Sequence, residues 1–249
     1  MNSFVIVVQN KNMIKKTKSI LGFVAVLLFG LGHVQAENID VKTYLDGIEK
    51  IKRVPINGLS MAKANGEIIF ISSNGHYVIR NGKLLDVWNN IEIDNFKKLE
   101  ESKKINFKQI GLNITDLTSI KVGNGDSEVS IFIDPYCPNC TNLLNHINTL
   151  KDEYTFNVII TPLLGKKSVI AAKYLVCNVD KDERYNVLLN KQFLNQAPIE
   201  DCKYGQIQKS MVTANLMGIN AVPFTVSANG VTIRGFRAST YNKRLRENL

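Results

Sequence analysis

The run Val-Ser-Ile-Phe-Ile-Asp-Pro-Tyr-Cys-Pro-Asn-Cys at positions 129–140 decides how the rest of this 249-residue chain is interpreted. Its first five residues are almost all apolar, which predicts a strand buried inside a sheet. Beyond Cys140, apolar residues recur at helical spacing as far as Leu150, and this predicts a helix over 138–150. The two thiols of the Cys-x-x-Cys motif are therefore expected at a strand-to-helix corner, which favours a redox site.

The two cysteines of this corner are expected to differ in chemistry. Cys137 would face the unpaired N–H groups and the positive end of the new helix, which lower the pKa of a thiol and make it the attacking species. Cys140 would lie one turn further in, more buried, where it can close on Cys137 and release a mixed disulfide. Pro138 suits the first helical turn, and Asn139 adds no charge between the thiols.

Two other interpretations of the motif are half of a zinc site and a local structural pair. The remaining cysteines, Cys177 and Cys202, do not form a second Cys-x-x-Cys, and His76 and His146 do not have ligand spacing. We therefore predict neither a metal nor a cofactor.

The N-terminal 36 residues are typical of a cleavable secretion signal. Lysines precede the apolar run Ile20–Leu31, and Val34-Gln35-Ala36 follows it, so cleavage is predicted after Ala36. The run is shorter than the roughly 20 residues that span a bilayer, although an uncleaved anchor stays open as an alternative. Met13 is a second candidate start, because Met13–Ala36 is by itself a complete leader.

Export bears on charge and on the other cysteines. Residues 1–36 carry four lysines and no acid, so their removal lowers the formal charge from +9 to +5. The remaining lysines are scattered among acids, as in Lys97-Lys98-Leu99-Glu100-Glu101, which favours a solvated surface over a nucleic-acid or membrane partner. In an oxidising compartment Cys177 and Cys202 are expected to pair, with two free buried thiols as the alternative. A disulfide that closes the loop over residues 178–201 would stabilise the fold by roughly 3 kcal/mol.

The mature chain is long enough for two unequal domains. Residues 37–90 are predicted to form a small antiparallel sheet, marginal alone and so expected to pair with a second copy. We predict a helix over Ile39–Ile51 and strands over Glu67–Ile71, His76–Ile79 and Leu84–Trp88, with hairpin turns at Asn74-Gly75 and Asn81-Gly82. Residues 91–126 read as a semi-rigid helical linker, with a helix over about 93–104.

Residues 127–249 alternate strand, helix and strand in the thioredoxin pattern. Helical segments are then inserted before a closing hairpin over 221–233, and a short helix ends the chain. The fold class is therefore α+β. A proline at the start of a strand is awkward, and a cis Val222–Pro223 bond would turn the Val222 backbone outward to meet a substrate chain beside Cys137.

Taken together, the leader, the small β domain, the linker, Cys137-Pro-Asn-Cys140, the Cys177/Cys202 pair and Val222-Pro223 resemble the periplasmic disulfide isomerases of the DsbC/DsbG family. The resemblance implies a V-shaped homodimer joined through its N-terminal domains, with thioredoxin-fold domains facing an uncharged cleft. It implies that Cys137 attacks a wrong disulfide, that Cys140 resolves, and that the Pro223 loop docks the peptide beside Pro138 and Asn139. It also implies a membrane reductase of the DsbD type as partner.

This chain differs from the family pattern in two places. Val222 stands where the isomerases typically carry Thr, and Pro-Asn separates the cysteines where Gly-Tyr is best known. Three functions follow: a disulfide isomerase and reductase acting on exported proteins, a DsbA-like dithiol oxidase on the same scaffold, and a dimeric chaperone whose cleft matters more than its thiols.

Overall fold

The computed structural model describes residues 46–247, which belong to one compact unit. The predicted leader and the first part of the predicted helix Ile39–Ile51 lie outside the described residues. Within the described part of the chain, no helix is both long and apolar enough to cross a membrane.

The N-terminal region is the expected small antiparallel sheet. It contains β1 (Ile48–Arg53), β2 (Leu59–Ala64), β3 (Glu67–Ser72) and β4 (Val78–Ile79), in that order. The helix prediction was wrong at positions 48–51, which belong to β1. Apolar residues three apart in Ile-Glu-Lys-Ile suit a helix, but pairing with the unpredicted strand β2 fixes them as a strand.

The turn prediction was right at one position and wrong at the next. The Asn74-Gly75 turn lies between the paired strands β3 and β4. Asn81-Gly82 does not join two paired strands, because β5 (Leu85–Asp86) pairs instead with β6 (Ile91–Glu92). The following helix α1 is shorter than predicted, Phe96–Glu101, and its first N–H groups are capped by Asn95.

The segment predicted as a linker contains a strand of the second sheet. After a 3-10 turn at Ile114–Asp116, β7 (Ser119–Val122) pairs antiparallel with β9 (Tyr154–Ile160). This sheet therefore begins several residues before position 127, where we placed the start of the second domain.

The expected strand-helix-strand unit forms the centre of that sheet. β8 (Ser127–Ile133) leads into α2 (Pro138–Ile147), and β9 then pairs parallel with β8. With β10 (Phe224–Val226) and β11 (Thr232–Arg234), the strand order is β11-β10-β8-β9-β7, a mixed sheet. The α+β fold class with a thioredoxin-like domain is confirmed.

The helical insertion and the closing hairpin follow. The insertion comprises α3 (Lys166–Cys177), α4 (Arg184–Leu189) and α5 (Gly205–Leu216). The hairpin is β10 (Phe224–Val226) with β11 (Thr232–Arg234), and α6 (Ala238–Arg246) is the last helix.

Strand β8 is buried on both faces, as its apolar run predicts. Val129, Ile131 and Ile133 pack in the core that contains the buried residues of α2 and α3. Phe132 faces the other way and packs with Leu117 and Phe224, and the partly buried Phe107 lies against the same cluster. Residues of the predicted linker thus cover the second face of the sheet.

We predict that Phe132→Ala destabilises the protein strongly. Phe132 has no exposed surface and its ring lies 6.4 Å from the rings of both Phe107 and Phe224. Truncation should leave a cavity and lower the free energy of unfolding by about 3–5 kcal/mol, measured by urea unfolding followed by circular dichroism. Leu216→Ala is the control, because Leu216 is 66% exposed and should change stability by no more than about 0.5 kcal/mol. If Phe132→Ala lowered the free energy of unfolding as little as the control does, burial of β8 on both faces would be contradicted.

Candidate functional site

The dithiol motif lies where the central strand β8 ends. The backbone carbonyl of Asp134 accepts a hydrogen bond from the Cys137 N–H at 3.1 Å, which closes the turn between strand and helix. Cys137 then caps α2 with an extended backbone, φ −78° and ψ 116°, and Pro138 is the first helical residue. The missing N–H of proline costs nothing there, because the first N–H groups of a helix have no intrahelical partner.

The Cys137 sulfur makes two polar contacts. It accepts a hydrogen bond from the Cys140 N–H at 3.3 Å, so the sulfur itself caps the helix. It also donates to the backbone carbonyl of Val222 at 3.5 Å, although the two residues are 85 positions apart. The Val222–Pro223 peptide bond is cis. The fold therefore brings together the first cysteine and the proline loop that we selected from the sequence.

The two thiols differ in burial and in acidity. Both cysteines are free, with Cys137 6% exposed and Cys140 1% exposed. Burial raises the pKa of the Cys140 thiol far above its usual value, and the neighbouring Cys137 sulfur raises it further. Cys140 thus stays protonated, so Cys137 is better placed to act as a nucleophile toward an incoming disulfide.

A buried carboxylate, Asp134, stabilises this corner through hydrogen bonds. Asp134 is 1% exposed, and its Oδ1 accepts hydrogen bonds from the Tyr136 N–H and the Ser168 hydroxyl, each at 2.8 Å. Its Oδ2 accepts from the Leu164 N–H at 2.8 Å. One side chain therefore fixes the cysteine turn to the loop after β9 and to the first turn of α3.

Apolar side chains are exposed around the same corner. The Tyr136 ring is 37% exposed and packs edge-on against Phe193 of the helical insertion, with ring centroids 5.5 Å apart. Leu164 is 58% exposed beside the Asp134 carboxylate that holds its N–H. Pro138 and Asn139 are also exposed. Apolar and uncharged groups of this kind suit contact with an extended polypeptide.

The other two cysteines form a disulfide elsewhere in the domain. Cys177 at the end of α3 is bonded to Cys202 before α5, with Cα atoms 5.6 Å apart. The bond fixes both ends of the segment that contains α4. Across residues 46–247, no group of three His, Cys, Asp or Glu side chains is arranged to hold a metal ion.

Sequence reasoning did not assign roles to Asp134, Tyr136, Leu164 or Phe193. A signal for Asp134 was available, because a carboxylate that directly follows an almost entirely apolar run is placed where burial is expected. Leu164 and Phe193 carry no such signal, since only the tertiary structure brings them to the corner.

Removal of the Asp134 carboxylate should destabilise the whole corner. In Asp134→Ala, two partly buried backbone N–H groups and one buried hydroxyl lose their acceptor, so the free energy of unfolding should fall by about 3 kcal/mol. Urea unfolding measures this change. Asp182→Ala, at an exposed position, is the matched control and should leave stability nearly unchanged. A loss below about 1 kcal/mol at Asp134 would show that water replaces the carboxylate.

The two thiols should also differ in alkylation. When the reduced protein reacts with iodoacetamide, label should appear at Cys137 at least about a hundredfold faster than at Cys140, because burial keeps Cys140 protonated. Peptide mapping by mass spectrometry over roughly pH 6–9 measures both rates. In guanidinium chloride the two cysteines should react alike. Equal rates in the folded protein would contradict the asymmetry.

Comparisons with known proteins find thiol:disulfide interchange proteins among the relatives of this chain. No family model matches the chain. The thiol:disulfide interchange protein DsbC of Haemophilus influenzae is 23% identical over 219 residues, which are 86% of this chain and 92% of that protein. A probable thiol:disulfide interchange protein DsbC of Bordetella avium is 24% identical over 123 residues, 49% of this chain and 43% of that protein.

Solved structures are similar to parts of this chain, with TM-scores below 0.5. A disulfide interchange protein from Neisseria gonorrhoeae is 24% identical with a TM-score of 0.47, and the match covers 55% of this chain and 98% of that one. DsbG from Helicobacter pylori is 19% identical with a TM-score of 0.37, covering 72% and 92%. The H. influenzae match extends over most of both proteins and agrees with the free dithiol at the strand-to-helix corner. The chain is thus similar over most of its length to a thiol:disulfide interchange protein DsbC, and its free Cys137–Cys140 dithiol fits a thiol-disulfide oxidoreductase.

Proposed function

We propose that this protein reduces and reshuffles incorrect disulfides in exported proteins, with Cys137 as the attacking thiol and Cys140 as the resolving thiol. The asymmetry between the two thiols is the observation that supports this most directly. Cys137 caps a helix with its sulfur and contacts the proline loop, whereas Cys140 is buried and its pKa is raised.

The reaction proceeds by thiol-disulfide exchange. The Cys137 thiolate attacks one sulfur of a substrate disulfide, a mixed disulfide forms, and the second substrate sulfur leaves as a thiolate. If another substrate thiolate then attacks the mixed disulfide, the substrate is isomerised and Cys137 is released reduced. If Cys140 attacks instead, its proton is lost, the Cys137–Cys140 disulfide forms and the substrate leaves with two more electrons.

The high pKa of Cys140 favours isomerisation over reduction. Because Cys140 is protonated at neutral pH, its attack on the mixed disulfide is slow. Because Cys140 resolves the mixed disulfide slowly, other thiols of the substrate have time to form the correct disulfide. The buried thiol then acts as a release route for substrates that cannot rearrange.

Substrate contact is proposed at the surface next to the Cys137 sulfur. Val222 is half-buried with its carbonyl on that sulfur, and the exposed Pro138 and Asn139 begin the helix. An extended substrate segment that paired with the Val222–Pro223 loop would place its own sulfur opposite Cys137. The Cys177–Cys202 disulfide has a structural role in this proposal.

A dithiol oxidase is the second candidate, and Val222 is the observation that favours it. DsbA-type oxidases carry Val at the position before the proline, where the isomerases typically carry Thr. In that case the Cys137–Cys140 disulfide would accept two electrons from substrate thiols. The two functions use the same two sulfurs but transfer electrons in opposite directions. The reduction potential of the Cys137–Cys140 pair therefore distinguishes them.

Assembly and location complete the proposal. Exposed apolar side chains cluster in the chain around the edge strand β4: Tyr77, Val78, Ile79, Leu85, Val87 and Trp88. An apolar sheet edge of this kind is a template for pairing with another chain, and we propose that a second copy covers it. The predicted leader and the Cys177–Cys202 disulfide favour the periplasm, where a membrane reductase of the DsbD type would return electrons to Cys137 and Cys140.

Refolding of a scrambled multi-disulfide ribonuclease in glutathione buffer tests the proposal. The mature protein should restore ribonuclease activity, Cys137→Ala should restore none, and Cys140→Ala should retain part of the isomerisation, because only Cys137 forms the mixed disulfide. Asn145→Ala, on the exposed side of α2, is the control and should behave as wild type. If the wild type fails here but rapidly oxidises the reduced ribonuclease, the oxidase is the correct function.

The dimer is tested in the same preparations. Sedimentation should give twice the monomer mass for the wild type. Ile79→Lys places a charge on the exposed edge strand β4 and should yield monomers that lose isomerisation but still reduce small disulfides. A wild-type monomer with full isomerase activity would refute the proposed assembly without affecting the thiol chemistry.

A further inference from the structure

A cleft of about 750 Å³ lies between the N-terminal sheet and the dithiol domain. One wall is the end of β1 and the turn into β2, including Arg53, Ile56 and Ser60. The opposite wall is formed by Met217, Gly218 and Arg234, which come from the end of α5 and from β11.

The charge of this cleft is entirely positive. Of the residues that line it, only Arg53 and Arg234 carry a charge, and no acidic side chain is among them. Neither arginine forms a salt bridge within residues 46–247, whereas the adjacent Lys52 is paired with Glu100. Arg234 is oriented by Phe224, since its guanidinium lies 5.5 Å from the centre of that ring.

The cleft lies beside the proline loop. Arg234 pairs with Phe224 across the hairpin, and the next residue, Gly235, donates its N–H to the Pro223 carbonyl at 2.8 Å. In sequence, Met217 and Gly218 come shortly before the same loop. Arg234 therefore lies on the strand next to the one that directly follows the proline loop, whose Val222 carbonyl contacts Cys137.

We propose that this cleft binds acidic segments of the polypeptide substrate that flank the disulfide under attack. Arg53 and Arg234 would each pair with a carboxylate, while Ile56 and Met217 contact the apolar parts of the same segment. The inference rests on the proposed function, because it names the class of substrate that the Cys137 site would prefer.

General physical chemistry favours carboxylates as the partners of these arginines. The guanidinium group offers a planar fork of donors that matches a carboxylate, and it sheds its hydration more easily than a lysine ammonium. A concave surface that carries one sign of charge also concentrates ligands of the opposite sign. Two exposed arginines that only aid solubility would not favour acidic ligands over neutral or basic ones. Binding measurements therefore separate a ligand-binding cleft from a merely soluble surface.

Binding of cysteine-free peptides tests the cleft separately from the thiol chemistry. Three fluorescent peptides of equal length, differing only in acidic, neutral or basic side chains, are titrated with the mature protein. The acidic peptide should bind at least about tenfold more tightly than the basic one at low salt, and salt of roughly 0.15 M should reduce the difference. Equal affinities for all three peptides would overturn the proposal.

Matched variants assign the effect to the two arginines. Arg53→Gln with Arg234→Gln should weaken acidic-peptide binding about tenfold and leave neutral-peptide binding unchanged. Arg53→Lys with Arg234→Lys keeps the charge and should restore part of the affinity, so a folding defect is distinguished from a loss of charge. Arg246→Gln removes one positive charge from α6 outside the cleft and should have no effect. If it weakens binding as much as the double variant, net charge rather than the cleft is responsible, and the proposal fails.

Disulfide-bonded versions of the same peptides connect the cleft to the reaction. The wild type should reduce the acidic peptide faster than the basic one, and the double Gln variant should remove that preference while retaining its rate on the neutral peptide. If the wild type reduces none of them, the proposed function fails, but the binding data still decide the cleft. If it reduces all three equally, the function stands and the acidic preference is refuted.

Discussion

The buried carboxylate of Asp134 is the interaction on which the dithiol corner depends. It stands at the end of β8, where the backbone changes from strand to helix, and it satisfies donors from three separate segments: the cysteine turn, the loop after β9 and the start of α3. Its burial is tolerated because both oxygens are hydrogen-bonded, and a fully satisfied buried polar group makes its surroundings rigid. The position of Cys137 relative to the rest of the sheet follows from this tie.

Once the corner is fixed, the difference between the two thiols follows from helix geometry. Cys137 occupies the capping position, where its sulfur receives an N–H group, and Cys140 lies one turn later on the face that packs into the core. A buried thiol resists ionisation because the charged form cannot be solvated there. The same helix therefore carries one sulfur that accepts a hydrogen bond at its capping position and a second that stays protonated in the core.

The structure also joins regions that the sequence separates. Residues of the segment we predicted as a linker provide strand β7 and part of the second core, so this segment is integral to the dithiol domain. The amide of Ile105 donates to the Gly230 carbonyl at 2.8 Å, which ties the same segment to the turn of the closing hairpin. A substituent at Gly230 would meet the Ile105 backbone, so only glycine fits that close approach. The segment thus follows α1, whose Leu99 packs with Met61 and Phe70 of the N-terminal sheet, and reaches the closing hairpin at Gly230.

The sequence by itself determined the strand, the Cys-x-x-Cys corner, the helix after it, the inserted helices and the closing hairpin, because each is encoded by local periodicity or by a short motif. It did not determine β1, β2 or β7, since Lys-Ile-Lys-Arg in β1 and Ser-Ile-Lys-Val in β7 are too short and too polar to be read as strands without their partners. Tertiary structure alone decided the hydrogen bonds of Asp134, the contact of Val222 with Cys137 across 85 positions, and the positive cleft. Those features join residues that are far apart in the chain, and such contacts leave no local sequence pattern from which they could be predicted.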